Sequence, residues 1–188
     1  MVHEIIIAGF GGQGVLSVGQ FLIYAGMLEG LQVSWVPAYG PEMRGGTANC
    51  LVTIGREEID SPVFERATAA IVMNQPSLEK FEAKVRPGGL LLFNSSLVER
   101  PVRRTDVQVY EIPANDLAYE LGNIKVANMV MLGAFLKVVP VVNVESVLNC
   151  LQRVFPAEKH HLIPLNREAM ALGARQVNYL LEQQRQAG

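Results

Sequence analysis

The sequence predicts an α/β fold: a single Rossmann-like three-layer domain over residues 1–188, with a mostly parallel sheet, a hairpin insertion and a C-terminal helical part. Three observations point to it. Ile5-Ile6-Ile7 lacks polar alternation, which suits a strand covered on both faces. That run ends in glycines at 9, 11 and 14, spelling G-x-G-x-x-G, and a helical pattern follows at once from Val15. From Asn115 onward the apolar spacing is helical throughout, after further strand-like runs upstream.

The elements follow in order. Val15, Val18, Leu22, Ala25 and Leu28 have helical spacing, and Gly30 is a C-terminal stop. Gln32 to Val36 reads as a second strand halted by Pro37. Thr47 to Ile54, a Gly55-Arg56-Glu57-Glu58 turn and Ile59 read as a hairpin, and Ser61-Pro62 leads into a short helix. Ala69 to Met73 is a buried strand. Asn74-Gln75-Pro76-Ser77 then caps a helix with proline in its first turn. Pro87-Gly88-Gly89 introduces the interior strand Leu90 to Phe93, and Val107, Val109 and Ile112 alternate as at a sheet edge. Asn115 caps a helix that stops at Gly122, and Val126 to Val139 forms the next. A third helix carries Val144, Val147, Leu148, Leu151, Val154 and Phe155. A fourth carries Leu165, Ala169, Leu172 and Leu180, with Asn166 as its cap and a frayed polar tail after Gln183.

Composition narrows the function. Hydrophobic content of 49% fits either a well-buried α/β core or a surface that meets other subunits. A net charge of −2 without a basic run argues against nucleic acid and anionic membranes as partners. Asn128, Lys137 and Pro140 interrupt the most apolar stretch before it reaches transmembrane length, and the N-terminus enters a strand without a signal peptide. A cytoplasmic protein is expected. Cys50 and Cys150 form no C-x-x-C pair and are too few for an all-cysteine iron–sulfur cluster, and His160-His161 lack metal-ligand spacing. No metal site is expected.

Gly9, Gly11, Gly12, Gln13 and Gly14 offer a tight turn, bare backbone and helix N–H groups aimed beyond the strand, a setting for phosphate, carboxylate or a partner's carbonyls. A nicotinamide-binding fold would place a carboxylate near the end of the second strand to hold the ribose. Here that strand ends Ser34-Trp35-Val36-Pro37-Ala38, and Glu29 falls in the preceding helix. A second loop, Tyr39-Gly40-Pro41-Glu42-Met43-Arg44-Gly45-Gly46, turns sharply around two opposite charges. Loops after parallel strands gather above their carboxyl ends, so it should lie beside the glycine loop. Glu42 and Arg44 are the only charges placed at this site, and neither has a base–nucleophile partner. Gln13 stands where a phosphate loop would carry charge. No G-x-S-x-G elbow, phosphate-loop lysine or H-E-x-x-H is present. Asn128, an amide among apolar neighbours, must find a partner: either a structural one or the glycine loop. No residue is assigned a catalytic role.

Gly9 to Val15, then Tyr39 to Gly46, then Asn128-Met129-Val130-Met131-Leu132-Gly133 together resemble the gamma subunit of 2-oxoacid:ferredoxin oxidoreductases, the catalytic domain III of fused pyruvate:ferredoxin oxidoreductase. Ser61-Pro62 matches as well, and the likeness thins after about Pro140. The resemblance implies a complex that converts a 2-oxoacid, most simply 2-oxoglutarate, to acyl-CoA, carbon dioxide and reduced ferredoxin. It implies thiamine diphosphate, Mg2+, iron–sulfur clusters and CoA for the complex, and none bound by this chain alone. The implied partners are alpha and beta (thiamine-binding) subunits, a ferredoxin-like subunit and ferredoxin; the isolated chain could form a homo-oligomer. The glycine loop, the second loop and Asn128 map onto the family's substrate and interface loops. Two rival readings are a stand-alone nicotinamide-dependent reductase and a non-catalytic nucleotide- or anion-binding module.

Overall fold

The computed structural model describes residues 1–39 and 46–187, with the side chains at 39 and 185–187 set aside. Six strands form one sheet: β1 (Val2–Phe10), β2 (Gln32–Tyr39), β3 (Thr47–Gly55), β4 (Ala67–Val72), β5 (Val85–Asn94) and β6 (Gln108–Ile112), in the order β2-β3-β1-β4-β5-β6. β1, β4, β5 and β6 are mutually parallel, whereas β3 runs antiparallel to both β1 and β2. The expectation of a mostly parallel α/β sheet holds.

The unbroken apolar run in β1 has the expected cause. Ile5 and Ile7 face one core, with α1 (Val15–Leu28), α3 (Ala114–Glu120), α4 (Ala127–Val138), α5 (Val144–Val154) and α6 (Ile163–Ala187) packed over it. Ile6 and Ala8 face the other, covered by α2 (Gln75–Phe81) and by segments without regular structure that bring in Phe64, Val98 and Val102. The segment after β5 is pinned by Glu82, whose carboxylate accepts from Arg100 Nη2 at 2.7 Å and from the Arg103 N–H at 2.9 Å. Burial pushes the Glu82 carboxyl up, but the Arg103 N–H and the Arg100 guanidinium outweigh it and hold the group below its ordinary range.

Two glycines set the distance between α4 and α6. A Cβ at Gly173 would stand 1.9 Å from the Val130 carbonyl oxygen, and one at Gly133 would stand 2.0 Å from that of Met170. The helix backbones are therefore in direct contact, and no larger residue fits.

Several expectations need correction. The hairpin is β2–β3, joined through residues 40–46, and not Thr47–Ile54 with Ile59. β3 pairs on both sides, Phe10 with Thr47 and Tyr39 with Ala48 at one end, so no lane is left for Ile59. Ser61-Pro62 starts no helix; Ser61 Oγ donates to the Val63 carbonyl and accepts from its N–H in a local turn. Pro37 does not stop β2, because β2 is an edge strand and can spare one donor. β5 begins at Val85, ahead of Gly88-Gly89. Asn115 and Asn166 both lie inside their helices, and Asn166 Nδ2 donates back to the Leu162 carbonyl. The polar tail continues as helix to Ala187. Asn74 caps α2 as read, its Oδ1 accepting from the Ser77 N–H at 3.0 Å.

Candidate functional site at the carboxyl edge

The carboxyl ends of β1, β4 and β5 converge on the glycine loop. Gly12 and Gly14 have φ of 99° and 74°, in the left-handed region that side chains resist. Gly9 is needed for space: a Cβ there would meet Gln13 Oε1 at 2.6 Å and Met73 and Val15 at 2.9 Å. Gly14 ends the loop as the N-cap of α1, with no side chain capping the helix. The first-turn N–H groups of α1 thus border a cleft of about 330 Å3 lined by Phe10, Gly11, Gly12, Gly14, Val15, Leu16, Ser17 and Ala48.

A relay of carboxamides holds the loop, and the backbone fixes the orientation of each. The Phe10 N–H donates to Gln13 at 2.7 Å, so the accepting atom must be Oε1. Asn74, oriented by the Ser77 N–H, donates through Nδ2 to the same Oε1 at 2.8 Å. Asn94, at the end of β5, accepts from the N–H groups of Ala114 and Ser96; its Nδ2 then donates to the Met73 carbonyl and to Asn115 Oδ1 at 2.8 Å. α3 is therefore capped from the sheet, by Asn94, and not by its own Asn115. Asn128 Nδ2 donates to the Gly14 carbonyl at 3.4 Å. Of the two roles open to Asn128, contact with the glycine loop is the one realised.

On the other side of the loop lies a second cleft, about 210 Å3, lined by Gly12, Gln13, Met73, Asn115, Ile124, Lys125, Ala127 and Asn128. Gly9, Gly11, Gly12, Gln13, Gly14 and Asn128 thus lie together at the carboxyl edge. Gly46 joins them, its carbonyl accepting the Gly11 N–H at 2.9 Å. The far end of the second loop therefore does meet the glycine loop. Tyr39 closes β2 opposite Ala48, while its side chain and Gly40, Pro41, Glu42, Arg44 and Gly45 lie outside the described residues. Sequence reasoning took Glu42 and Arg44 as the only charges here and missed Lys125. Asn74 and Asn115 were read only as helix caps, and Asn94 was not singled out. The available signal was their position: polar amides just beyond strands whose other residues are apolar.

The site does not fit a nicotinamide dinucleotide. The lane beside β1 where a ribose-holding parallel strand would run is filled by antiparallel β3, and no carboxylate stands within Gln32–Tyr39. Among the described residues no three His, Cys, Asp or Glu side chains gather as a metal site. Cys50 in β3 and Cys150 in α5 are buried, free thiols, and do not fit a four-cysteine cluster. Burial pushes the Cys50 thiol up to about 12, against the opposing effect of the nearby Trp35 indole. A larger cavity, about 750 Å3, opens at the opposite end of the sheet among Met1, His3, Glu29, Leu31, Arg56 and Asn143. Burial, then the terminal ammonium and Arg86, keep His3 below its ordinary range. Among the described residues no helix is long and apolar enough to cross a membrane.

Residues 4–176 match the family model described as pyruvate ferredoxin/flavodoxin oxidoreductase. The chain is 37% identical over 169 residues to the ketoisovalerate oxidoreductase subunit VorA of Methanothermobacter marburgensis; the match takes in 89% of this chain but only 35% of that protein. It is 34% identical over 149 residues to the 2-oxoglutarate synthase subunit KorC of Methanocaldococcus jannaschii, covering 78% of this chain and 80% of that one. Among solved structures, the gamma subunit of a keto/oxoacid ferredoxin oxidoreductase from Geobacter sulfurreducens superposes with a TM-score of 0.79 at 28% identity, over 94% of this chain and 99% of that one. The chain thus spans about a third of the VorA protein and most of the KorC one.

Proposed function

The chain belongs to the pyruvate ferredoxin/flavodoxin oxidoreductase family, and from that premise we propose that it is the gamma subunit of a 2-oxoacid:ferredoxin oxidoreductase. The oxoacid we assign is 2-oxoglutarate. That choice is supported by the match to a 2-oxoglutarate synthase subunit, which takes in 80% of that protein. Alpha and beta subunits and a ferredoxin-like subunit complete the cytoplasmic complex, which passes electrons to ferredoxin. Thiamine diphosphate with Mg2+, the iron–sulfur clusters and CoA belong to that complex; the described residues of this chain gather no three metal-ligating side chains. When bound by a partner, thiamine supplies the carbanion chemistry of oxoacid decarboxylation.

What this chain contributes is shape and hydrogen-bond donors. The observation that carries the reading is the carboxyl edge itself: a glycine loop held by Gln13, Asn74 and Asn128, presenting N–H groups and amides with no carboxylate, histidine or cysteine among the described residues that line its clefts. To Tyr39, Gly40, Pro41, Glu42, Arg44, Gly45 and Gly46 we assign a role in contacting the partner subunits. Arg44→Ala lowers turnover or assembly of the complex and leaves the isolated chain folded; full turnover in an assembled Arg44→Ala complex would count against that role.

The test is co-expression with the thiamine-binding subunits, followed by CoA-dependent ferredoxin reduction with 2-oxoglutarate, 2-oxoisovalerate and pyruvate. The reading expects activity only when this chain is present, and highest with 2-oxoglutarate. Activity without the chain, or nicotinamide turnover by the chain alone, would overturn it. Preference for another oxoacid would overturn only the substrate assignment.

A further inference from the structure

β2 ends the sheet on its side, and among the described residues it has a strand along one edge only. Which of its backbone groups face outward follows from the register. The Met73 N–H donates to the Ala8 carbonyl on the β4 side of β1, and the Gly11 N–H to the Gly46 carbonyl on the β3 side. Even-numbered residues of β1 therefore point their N–H and C=O groups at β4, and odd-numbered ones at β3. Through the one-to-one registers, even-numbered residues of β3 bond β1, and odd-numbered ones bond even-numbered residues of β2. Val33, Trp35 and Pro37 are left facing out. Pro37 has no N–H to offer, and the Leu31 N–H is turned back to the Gly26 carbonyl at 2.9 Å. The open window is thus Val33 and Trp35, each with a donor and an acceptor, and it is symmetric about Ser34.

Exposed sheet edges are ordinarily blunted by charged side chains, and Gln32–Tyr39 carries none. The helix beside this strand is closely seated: a Cβ at Gly19 would meet Trp35 Nε1 at 2.8 Å, and one at Gly26 would meet Val33 at 2.7 Å. Ile23 lies on the same face of α1 by spacing, and Ile23, Val33 and Trp35 are all only half-buried. A partly open apolar strip therefore runs beside the window.

We propose that this edge is a self-association surface, on which β2 of a second copy of the chain pairs antiparallel about a two-fold axis at Ser34. Val33 then stands opposite Trp35 of the second copy, and every donor and acceptor in the window is used. The same register sets Pro37 opposite Leu31, the two residues without a free N–H. Each Val33–Trp35 pair places a β-branched side chain against an aromatic one on the α1 face. An uncharged strand sets no like charges against itself, whereas a charged strand from another chain would find no opposite charge here. The two six-stranded sheets would continue as one. The inference rests on strand order and register, and not on the oxoacid chemistry proposed above.

The test uses the full chain. Analytical ultracentrifugation should show reversible dimerisation with a Kd of about 10–100 μM, as fits a small surface. Residue-by-residue amide exchange should show the Val33 and Trp35 N–H groups slowing as concentration rises through that range. The Ser34 N–H, which faces β3, is the internal control. Val33→Pro, allowed where an edge N–H faces outward, removes half of the new hydrogen bonds and should weaken dimerisation about thirtyfold. Ser34→Lys sets two like charges face to face on the axis and should abolish it. A chain that stays monomeric at about 500 μM, or that dimerises without slowing at Val33 and Trp35, would overturn the proposal. So would unchanged dimerisation of a folded Ser34→Lys chain. Slowing of those two N–H groups only when thiamine-binding subunits are added would give the edge to another chain and overturn it too. Should neither variant fold, the exchange profile of the unaltered chain decides.

Discussion

Gly14 and Asn128 are coupled across 114 residues of sequence, and the coupling can be worked out from their geometry. Gly14→Ala incurs two separable costs. Alanine at a φ of 74° pays about 1–2 kcal/mol for the left-handed conformation. Its Cβ would also stand 2.4 Å from Asn128 Nδ2, so the carboxamide must swing away from the Gly14 carbonyl. Losing that hydrogen bond costs about 0.5 kcal/mol, the low end for such a bond because it is 3.4 Å long. The single substitution should therefore cost about 2 kcal/mol, a fall in Tm of about 4–8 °C for a domain of this size. Asn128→Ala alone should cost about 0.5 kcal/mol, since only the hydrogen bond is lost. In the double variant the nearest atom to the new Cβ is the Asn128 Cβ, at 3.4 Å, an ordinary contact. The clash is gone and the bond is not lost twice, so the pair should cost at least about 0.5 kcal/mol less than the sum of the singles. Thermal and urea unfolding of the four proteins measure this. Strict additivity would refute the claim that Asn128 is the prop of the loop.

Two further outcomes follow from the packing. Gly173→Ala should destabilise the chain by about 3 kcal/mol or more, because its Cβ meets the Val130 carbonyl at 1.9 Å and backbone cannot step aside. Gly26→Ala, whose Cβ would touch only side-chain tips of Ile54 and Val33 at 2.7 Å, should cost clearly less by the same unfolding assay. The Cys50 thiol, pushed up to about 12 in the fold from an ordinary 9.0, should resist alkylation in the native chain and react on unfolding. A raised folded value means stability is complete below the unfolded pKa and is lost as pH rises toward the folded one. Between pH 9 and 12 this thiol alone should remove about 1.4 kcal/mol per pH unit, and Cys50→Ala should flatten that slope.

Local signals were legible in the sequence wherever local physics decides. Ile5-Ile6-Ile7 suits a strand buried on both faces, and Asn74 with Pro76 suits the start of a helix, as the structure has them. The glycine spacing located the loop, and Asn128 announced itself as an amide in need of a partner. Strand order was not legible. Thr47 to Ile54 reads as a strand whatever it pairs with, and its insertion between β1 and β2 is settled by long-range burial of Ala48, Cys50, Val52 and Ile54. Asn115 carries a capping residue's chemistry, yet it is Asn94, 20 residues before Ala114, that takes the Ala114 N–H. Lys125 became a site residue only because the turn between α3 and α4 folds back onto the glycine loop, a placement no local pattern encodes.

Amide hydrogen exchange, compared between the free chain and the chain within an assembled oxidoreductase, distinguishes the two ends of the sheet. If the carboxyl edge meets the partner subunits, protection should appear at Gly9–Val15 and Ile124–Asn128. Protection confined to Glu29–Leu31, Ile54–Arg56 and Pro140–Asn143, around the larger cavity at the opposite end, would contradict it.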